Sequence, residues 1–202
     1  MPAQGGAMVE PIFPRLHVVT ASLPIVEAVL SVSSQVAIQV RVADDVTDRD
    51  AYALTVEVLS RCRARGAMCL VNDRVDIALA AGADGAHVGA DDLPPAAARK
   101  VLGRAAVLGV TLRAPADVPS ASYFGVGPAF ETSTKDGLPP PIGVAGVGAV
   151  ADASHVPVIA IAGVTPSRVA SLLAVGAYGV AAVGAIARDP VGATEQFLKA
   201  LS

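Results

Sequence analysis

The chain has 202 residues, of which 53% are hydrophobic and 16% are charged, with a formal net charge of −3. That length accommodates one domain with a substantial core and is short for two. There is no basic stripe interleaved with aromatic residues, which argues against nucleic-acid binding, and no apolar run reaches the ~20 residues of a membrane span.

The amino-terminal segment, MPAQGGAMVEPIFP, lacks the basic and apolar regions of a secretory signal. We expect residues 1–14 to form a flexible leader and residues 15–202 to form a single domain. Cys62 and Cys69 do not have the spacing of a metal or redox motif. They are therefore expected to be core residues of a reduced, cytoplasmic protein.

Short apolar runs without polar alternation recur along the chain, as is typical of parallel strands covered on both faces. These runs are residues 16–20, 36–41, 67–71, 85–89, 106–111, 123–127, 156–163 and 179–184. Helical patterns occupy most of the intervals between them. The clearest are residues 48–66, 75–82, 94–103, 166–176 and 189–202.

The alternation of strands and helices predicts a parallel (β/α)8 TIM barrel of the α/β class. The segment LRAPADVPSAS after strand five is short and broken by prolines, so we expect a shortened helix there. An open doubly wound sheet is the alternative architecture. The dinucleotide-binding pattern GxGxxG is absent from the start of the first helix.

Polar residues and glycines cluster at the ends of the predicted strands, where TIM barrels form their sites. In chain order these candidates are Gln39, Arg41, Asn72, Asp73, Asp92, Thr111, Thr132, Thr134, Lys135, Gly163, Val183 and Gly184. Taken alone, each has an ordinary structural explanation, such as an Asx turn, a helix cap or a tight strand-to-helix turn. His87 lies inside a predicted strand and is expected to be packed or hydrogen-bonded.

Taken together, the strand-end residues favour an anionic substrate with a metal ion. Two carboxylates, Asp73 and Asp92, suit Mg²⁺, which is typically held by one or two carboxylates together with substrate phosphates. Basic and hydroxyl side chains, including Arg41 and Lys135, suit phosphate oxygens. Glycines after strands seven and eight suit phosphate binding by backbone N–H groups.

In this order the motifs resemble the thiamine phosphate synthase family, together with its sister, the thiazole tautomerases. The resemblance is carried by IQVR, VNDRVDIALAAGADGAHVGADDLP, LGVT, FGVGPAFETSTK, PVIAIAGV and GAYGVAAVGAI, from strand two to strand eight. It implies a transferase of thiamine biosynthesis that joins hydroxymethylpyrimidine diphosphate to thiazole phosphate and releases pyrophosphate. The implied partners are therefore small phosphorylated molecules, and a homodimer is compatible with the resemblance.

The resemblance also implies roles for individual residues. Asp73 and Asp92 would hold Mg²⁺, and Gln39 would lie beside the pyrimidine. The implied catalytic residues are Arg41, Asn72, Thr111 and Lys135, with Thr111 in the place of a family serine. The thiazole phosphate would meet Thr132, Thr134, Gly163, Val183 and Gly184.

One departure from the family pattern keeps other activities open. Ala43 stands where the family usually has a lysine that contacts the diphosphate. This loss favours a thiazole tautomerase, which needs no diphosphate site, or a catalytically impaired barrel that binds a thiazole-phosphate-like ligand. Arg113, however, occupies the position of a histidine expected in the tautomerases.

Overall fold

The computed structural model of the chain describes residues 13–132 and 137–202. Parallel strands close into a barrel in the order β1 to β8, and β1 pairs with β8. The strands are β1 (Leu16–Thr20), β2 (Val36–Val40), β3 (Met68–Asn72), β4 (Gly85–Val88), β5 (Val107–Leu112), β6 (Tyr123–Val126), β7 (Val158–Ala160) and β8 (Gly179–Ala182). The predicted TIM barrel is thus confirmed, and closure excludes the open sheet.

Helices on the outside of the barrel connect most of the strands. They are α1 (Leu23–Val32), α2 (Asp48–Arg65), α3 (Val75–Ala81), α4 (Pro95–Leu102), α5 (Gly143–Ala153), α6 (Pro166–Leu173), α7 (Gly184–Arg188) and α8 (Pro190–Leu201). Helix α2 begins where Thr47 accepts a hydrogen bond from the backbone N–H of Asp50, and it ends at Gly66 in a left-handed conformation. Within the described ranges, no helix combines the length and hydropathy needed to cross a membrane.

The connection from β5 to β6 contains bends and turns and no helix, so the shortened helix expected there is absent. Proline at positions 115 and 119 removes backbone donors that a helix would need. Arg99 of α4 holds the connection instead. Its guanidinium donates hydrogen bonds to the carbonyl oxygens of Ala106 and Ser120, at 2.6 and 2.8 Å, and to the hydroxyl of Ser122 at 3.1 Å.

Alternation along the strands decides which side chains enter the barrel. On β2, Val36, Ile38 and Val40 pack outward against the helices, whereas Ala37 and Gln39 point inward. The outer layer, between strands and helices, is the larger apolar core. The inner layer is more polar and carries the residues discussed below.

Aromatic rings fill the end of the barrel at which the strands begin. The opposite end, where the strands finish, is the barrel mouth. Phe13 packs against His17, Tyr123 and Tyr178, at ring-centroid distances of 5.4, 5.3 and 6.2 Å. Residues 13 and 14 of the predicted leader are thus described, and residues 1–12 lie outside the described ranges. Burial lowers the pKa of His17 to about 3, so this ring is neutral and its Nε2–H donates to the carbonyl of Pro14.

Arg15 fastens three segments at this same end. Its Nε donates to the carbonyl oxygen of Tyr178 at 2.8 Å, and its Nη1 donates to the carbonyl oxygen of Leu201. The segment before β1, the start of β8 and the end of α8 are therefore joined beneath the barrel.

Candidate active site at the barrel mouth

A pair of side-chain amides lies at the ends of β2 and β3. Gln39 is 4% exposed and points inward, and its Nε2 donates a 2.7 Å hydrogen bond to Oδ1 of Asn72. This bond orients both amides, so that Gln39 presents Oε1 as an acceptor and Asn72 presents Nδ2 as a donor. The pair thus offers complementary polar atoms at the barrel mouth.

Asp73 lies in the turn directly after β3, and its backbone is hydrogen-bonded to the neighbouring strand β4. Its φ of 64° is left-handed, a conformation in which Asp is one of the tolerated non-glycine residues. The backbone N–H of Asp73 donates a 2.7 Å hydrogen bond to the carbonyl of His87 on β4, and Arg74 N–H donates to the carbonyl of Asn72. This anchoring fixes the Asp73 backbone at the rim.

Asp92 follows the neighbouring strand. Its Oδ2 accepts a 2.7 Å hydrogen bond from the backbone N–H of Gly89 and so closes the turn after β4. Asp92 does not cap α4, whose N-cap position is Pro94. The explanation that Asp92 caps a helix is therefore wrong. Its carboxylate lies at the rim of the barrel mouth, after the end of β4.

Asp73 and Asp92 are described carboxylates that could hold a magnesium ion together with substrate oxygens. Within residues 13–132 and 137–202, there is no group of three or more His, Cys, Asp or Glu side chains placed to hold a metal. Asp73 and Asp92 follow hydrogen-bonded neighbours, β3 and β4. Mg²⁺ commonly uses one or two carboxylates, with phosphate oxygens and water completing an octahedron. The oxygen-only donors match that preference.

Thr111, at the end of β5, is connected to a polar network inside the barrel. The Nε2 of His87 lies 2.9 Å from Oγ1 of Thr111, and the Nδ1 of His87 lies 2.9 Å from the hydroxyl of Tyr123. Burial lowers the pKa of His87 to about 4, against an opposing contribution from Asp92, and burial raises the pKa of Tyr123. His87 is thus hydrogen-bonded, as expected from the sequence, and both rings are neutral near pH 7.

Arg41 and Val183 line one cavity of about 190 Å³ between the ends of β1, β2 and β8. The backbone N–H of Arg41 donates to the carbonyl of Thr20, which extends the pairing of β1 and β2 by one residue. Gly184 directly follows Val183 and begins α7. The predicted diphosphate residue and the predicted thiazole-phosphate backbone therefore border a common space.

Gly163 and the segment before Thr132 contact each other at the ends of β6 and β7. Gly163 has a φ of 66°, and a Cβ atom there would lie 2.5 Å from the carbonyl oxygen of Glu131. Arg168 donates a 2.5 Å hydrogen bond to the carbonyl of Gly163 and lies over the ring of Phe130, 4.4 Å from its centroid. Only glycine fits this close approach.

The structure thus brings most of the predicted site residues to one rim. Gln39, Asn72, Asp73 and Asp92 lie around the ends of β2 to β4, and Thr111 lies at the end of β5. Two predicted residues, Thr134 and Lys135, fall outside the described ranges. Tyr123 and Arg168 were missed from the sequence. Tyr123 lies in the inward phase of β6, which was the available signal for it. Arg168 lies in α6, and no sequence pattern indicates its contact with Phe130, which is distant in the chain.

Comparison with known proteins agrees with this geometry. The family model described as thiamine monophosphate synthase matches residues 12–186. A thiamine-phosphate synthase from Salinispora tropica is 55% identical, with 93% of this chain and 97% of the relative covered. The thiamine-phosphate synthase of Salinispora arenicola is 54% identical over the same shares.

A solved structure agrees as well. The thiamine phosphate pyrophosphorylase from Pyrococcus furiosus has a TM-score of 0.79 and 27% identity, and the match covers 95% of this chain and 96% of that one. Family, relatives and architecture point the same way, and the chain belongs to the thiamine monophosphate synthase family.

Proposed function

We propose that this chain acts as a thiamine phosphate synthase, which joins hydroxymethylpyrimidine diphosphate to thiazole phosphate and releases pyrophosphate. Family membership and the names of the curated relatives support this activity. The structural observation that carries it is the hydrogen bond between Gln39 and Asn72. It places the residue expected beside the pyrimidine next to a residue expected on the diphosphate, as one bound substrate molecule requires.

The site residues stabilise the charge that develops during the reaction, and none of them needs to act as a nucleophile. As diphosphate departs, negative charge grows on its oxygens while a cation develops on the pyrimidine methylene group. Preorganised donors aimed at the leaving group stabilise this separation. Asn72 Nδ2 and the Arg41 guanidinium are the described donors in this role, and Lys135 is proposed to join them. Gln39 Oε1 orients the pyrimidine by accepting a hydrogen bond.

Mg²⁺ is part of this proposal, with Asp73 and Asp92 as its protein ligands. A bound Mg²⁺ supplies positive charge that neutralises the departing diphosphate. The all-oxygen donors at two adjacent strand ends support this assignment. The chain's own contribution is to hold the two carboxylates at the rim, through the backbone bond of Asp73 to His87 and the bond of Asp92 to Gly89.

The second substrate is proposed to place its phosphate near the ends of β6, β7 and β8. The contact between Gly163 and the Glu131 carbonyl brings the segment that leads to Thr132 against the turn after β7. Thr134, Val183 and Gly184 complete the proposed phosphate-binding group. The Gly163 contact supports it by bringing two of the three loops together.

The test is to incubate the protein with both substrates and Mg²⁺ and to measure pyrophosphate and thiamine phosphate. Asp73→Ala should abolish this turnover. A thiazole tautomerase would instead convert its thiazole isomer without metal and would tolerate Asp73→Ala. Binding of thiazole phosphate with no turnover in either assay would favour the impaired barrel. A cytoplasmic location and a homodimer complete the proposal, and sedimentation of the purified chain tests the latter.

A further inference from the structure

Three side chains form a continuous hydrogen-bonded chain from inside the barrel to its mouth. Tyr123 is 1% exposed and His87 is 9% exposed, whereas Thr111 is half-buried at the end of β5. Among the described residues, the only hydrogen-bond partner of the Tyr123 hydroxyl is Nδ1 of His87. The other ring nitrogen, Nε2, is bonded to Thr111.

Burial of the Tyr123 hydroxyl determines the direction of both bonds. A buried O–H group must donate its proton to an acceptor, and the acceptor within reach is Nδ1 of His87. A neutral imidazole has a single ring proton, which therefore lies on Nε2. The Nε2–H group then donates to Oγ1 of Thr111. In the opposite tautomer, the phenolic proton of Tyr123 would be buried without an acceptor.

Two glycines hold the imidazole in place for these bonds. A Cβ atom at Gly109 would lie 2.3 Å from Nδ1 of His87 and 2.2 Å from Cζ of Tyr123. A Cβ atom at Gly125 would lie 2.6 Å from Cε1 of His87. The neighbouring strands β5 and β6 thus leave a slot that the two rings fill. A ring confined on both sides cannot rotate without breaking its hydrogen bonds.

We propose that Tyr123 and His87 are positioning residues that force the Thr111 hydroxyl to accept from inside the barrel and to direct its own proton toward the mouth. Thr111 is then a dedicated hydrogen-bond donor to an acceptor atom of the pyrimidine diphosphate. The assignment of that ligand rests on the proposed function. The hydrogen-bonded chain from Tyr123 through His87 to Thr111 is called the relay below. Its direction does not rest on the proposed function, because it follows from burial and bond geometry alone.

The tautomer can be measured without any substrate. In protein labelled with ¹⁵N at histidine, we expect the His87 resonances to show a protonated Nε2 and an unprotonated Nδ1. The chain has three histidines, so His155→Gln and His17→Gln variants assign the signals. In Tyr123→Phe the forcing donor is removed, and the His87 signals should shift toward a mixture of tautomers. A protonated Nδ1 in the unaltered protein would overturn the proposal.

A double-mutant cycle tests whether the relay acts through Thr111. Tyr123→Phe should lower kcat by about tenfold, because one oriented hydrogen bond to the substrate is weakened. Thr111→Val should lower kcat at least as much, and Tyr123→Phe should then have no additional effect. Thr111→Ser keeps a hydroxyl and should retain most of the activity of the unaltered protein.

Equal losses from Tyr123→Phe in both backgrounds would show that Tyr123 acts only on the fold, and would overturn the positioning role. Thermal unfolding of each variant is measured in parallel. If the unaltered protein releases no pyrophosphate, the synthase proposal fails, and the ¹⁵N measurement still decides the direction of the relay.

Discussion

The side-chain amide of Gln39 donates a 2.7 Å hydrogen bond to the side-chain oxygen of Asn72. Because that oxygen is already used, the Asn72 group that faces substrate is its NH₂. The variant Asn72→Asp keeps an acceptor for Gln39 while replacing the NH₂ donor with an anionic oxygen.

We expect Asn72→Asp to lower kcat/KM for the pyrimidine diphosphate by about 10- to 100-fold, because a hydrogen bond to a charged group is lost and the new charge repels phosphate. Steady-state kinetics check this, with Asn72→Ala as a neutral comparison that should be less impaired. Unaltered kinetics in Asn72→Asp would mean that Nδ2 does not contact the diphosphate.

The hydrogen bond from Gly89 N–H to Asp92 allows the loop role of Asp92 to be separated from its proposed metal role. In Asp92→Asn an amide oxygen can still accept from Gly89, and only the negative charge is removed. We expect the Mg²⁺ concentration for half-maximal activity to rise about tenfold, since one anionic ligand is lost. A chelator should abolish activity, and added Mg²⁺ should restore it.

Asp76→Asn is the matched control for Asp92→Asn. Asp76 is an exposed carboxylate in the first turn of α3 and pairs with Arg74. The Mg²⁺ dependence of this variant should equal that of the unaltered protein. The same increase in both variants would indicate a general effect of rim charge and would count against Asp92 as a ligand.

Ala43 is exposed in the connection from β2 to α2, two residues after Arg41. Ala43→Lys adds a cation where the family pattern has one. We expect kcat/KM for the pyrimidine diphosphate to rise about tenfold, the effect of one charge-assisted hydrogen bond. Ala43→Met adds similar length without charge and should have no effect. If kcat/KM does not rise in Ala43→Lys, this would argue against diphosphate binding beside β2.

His17 makes stability depend on pH. Its pKa is lowered to about 3 by burial, from an ordinary value of 6.5, so the unfolded chain binds a proton that the folded chain does not. The contribution of the neutral ring is complete above pH 6.5 and is lost progressively as pH falls toward 3. Between pH 7 and pH 5, we expect this group to remove about 2 kcal/mol of unfolding free energy.

Urea unfolding at pH 7 and pH 5 checks the His17 prediction. In His17→Gln the loss between the two pH values should be smaller by about 2 kcal/mol. Replacement of the exposed His155 with glutamine is the comparison variant, because it removes a histidine and keeps the buried ring. If His17→Gln leaves the pH dependence of stability unchanged, the pKa of the buried ring does not differ between the folded and unfolded states as argued.

Arg99 holds the helix-free connection between β5 and β6. We expect Arg99→Met to lower the unfolding free energy by about 1–3 kcal/mol, because several hydrogen bonds to half-buried oxygens are lost. Arg61→Met is the control, since Arg61 makes a more exposed pair with Glu27 that should contribute about 0–1 kcal/mol. Equal unfolding midpoints for the two variants would contradict the conclusion that Arg99 stabilises the connection between β5 and β6.

The barrel was predictable because short apolar runs without polar alternation recur along the chain and most of them are separated by helical patterns. The largest difference in length is at β7, predicted over residues 156–163 and observed at Val158–Ala160. Helix α5 was not delimited, because Gly143, Gly146 and Gly148 obscure its helical pattern. The complete loss of a helix after β5 goes beyond the shortened helix that Pro115 and Pro119 indicate. The hydrogen bonds from Arg99 of α4 that hold this connection have no counterpart in the sequence pattern.

The candidate site was predictable where a residue's position on its strand decides its direction. Gln39, Asn72 and Thr111 each lie at a strand end in the inward phase. The relay was not predictable, because it depends on how strands align across the barrel. Gly109 pairs with both His87 and Tyr123 in the strand register, which brings those two rings together although they are far apart in the chain.

The contact of Arg15 with the carbonyl of Leu201 has a practical consequence. It holds the last residues of α8 beneath the cylinder, on the side opposite the substrate entrance. A protein immobilised on a resin or fused to a reporter through Ser202 would therefore keep its entrance turned toward bulk solution. The same attachment would expose the entrance uniformly on an array of such molecules.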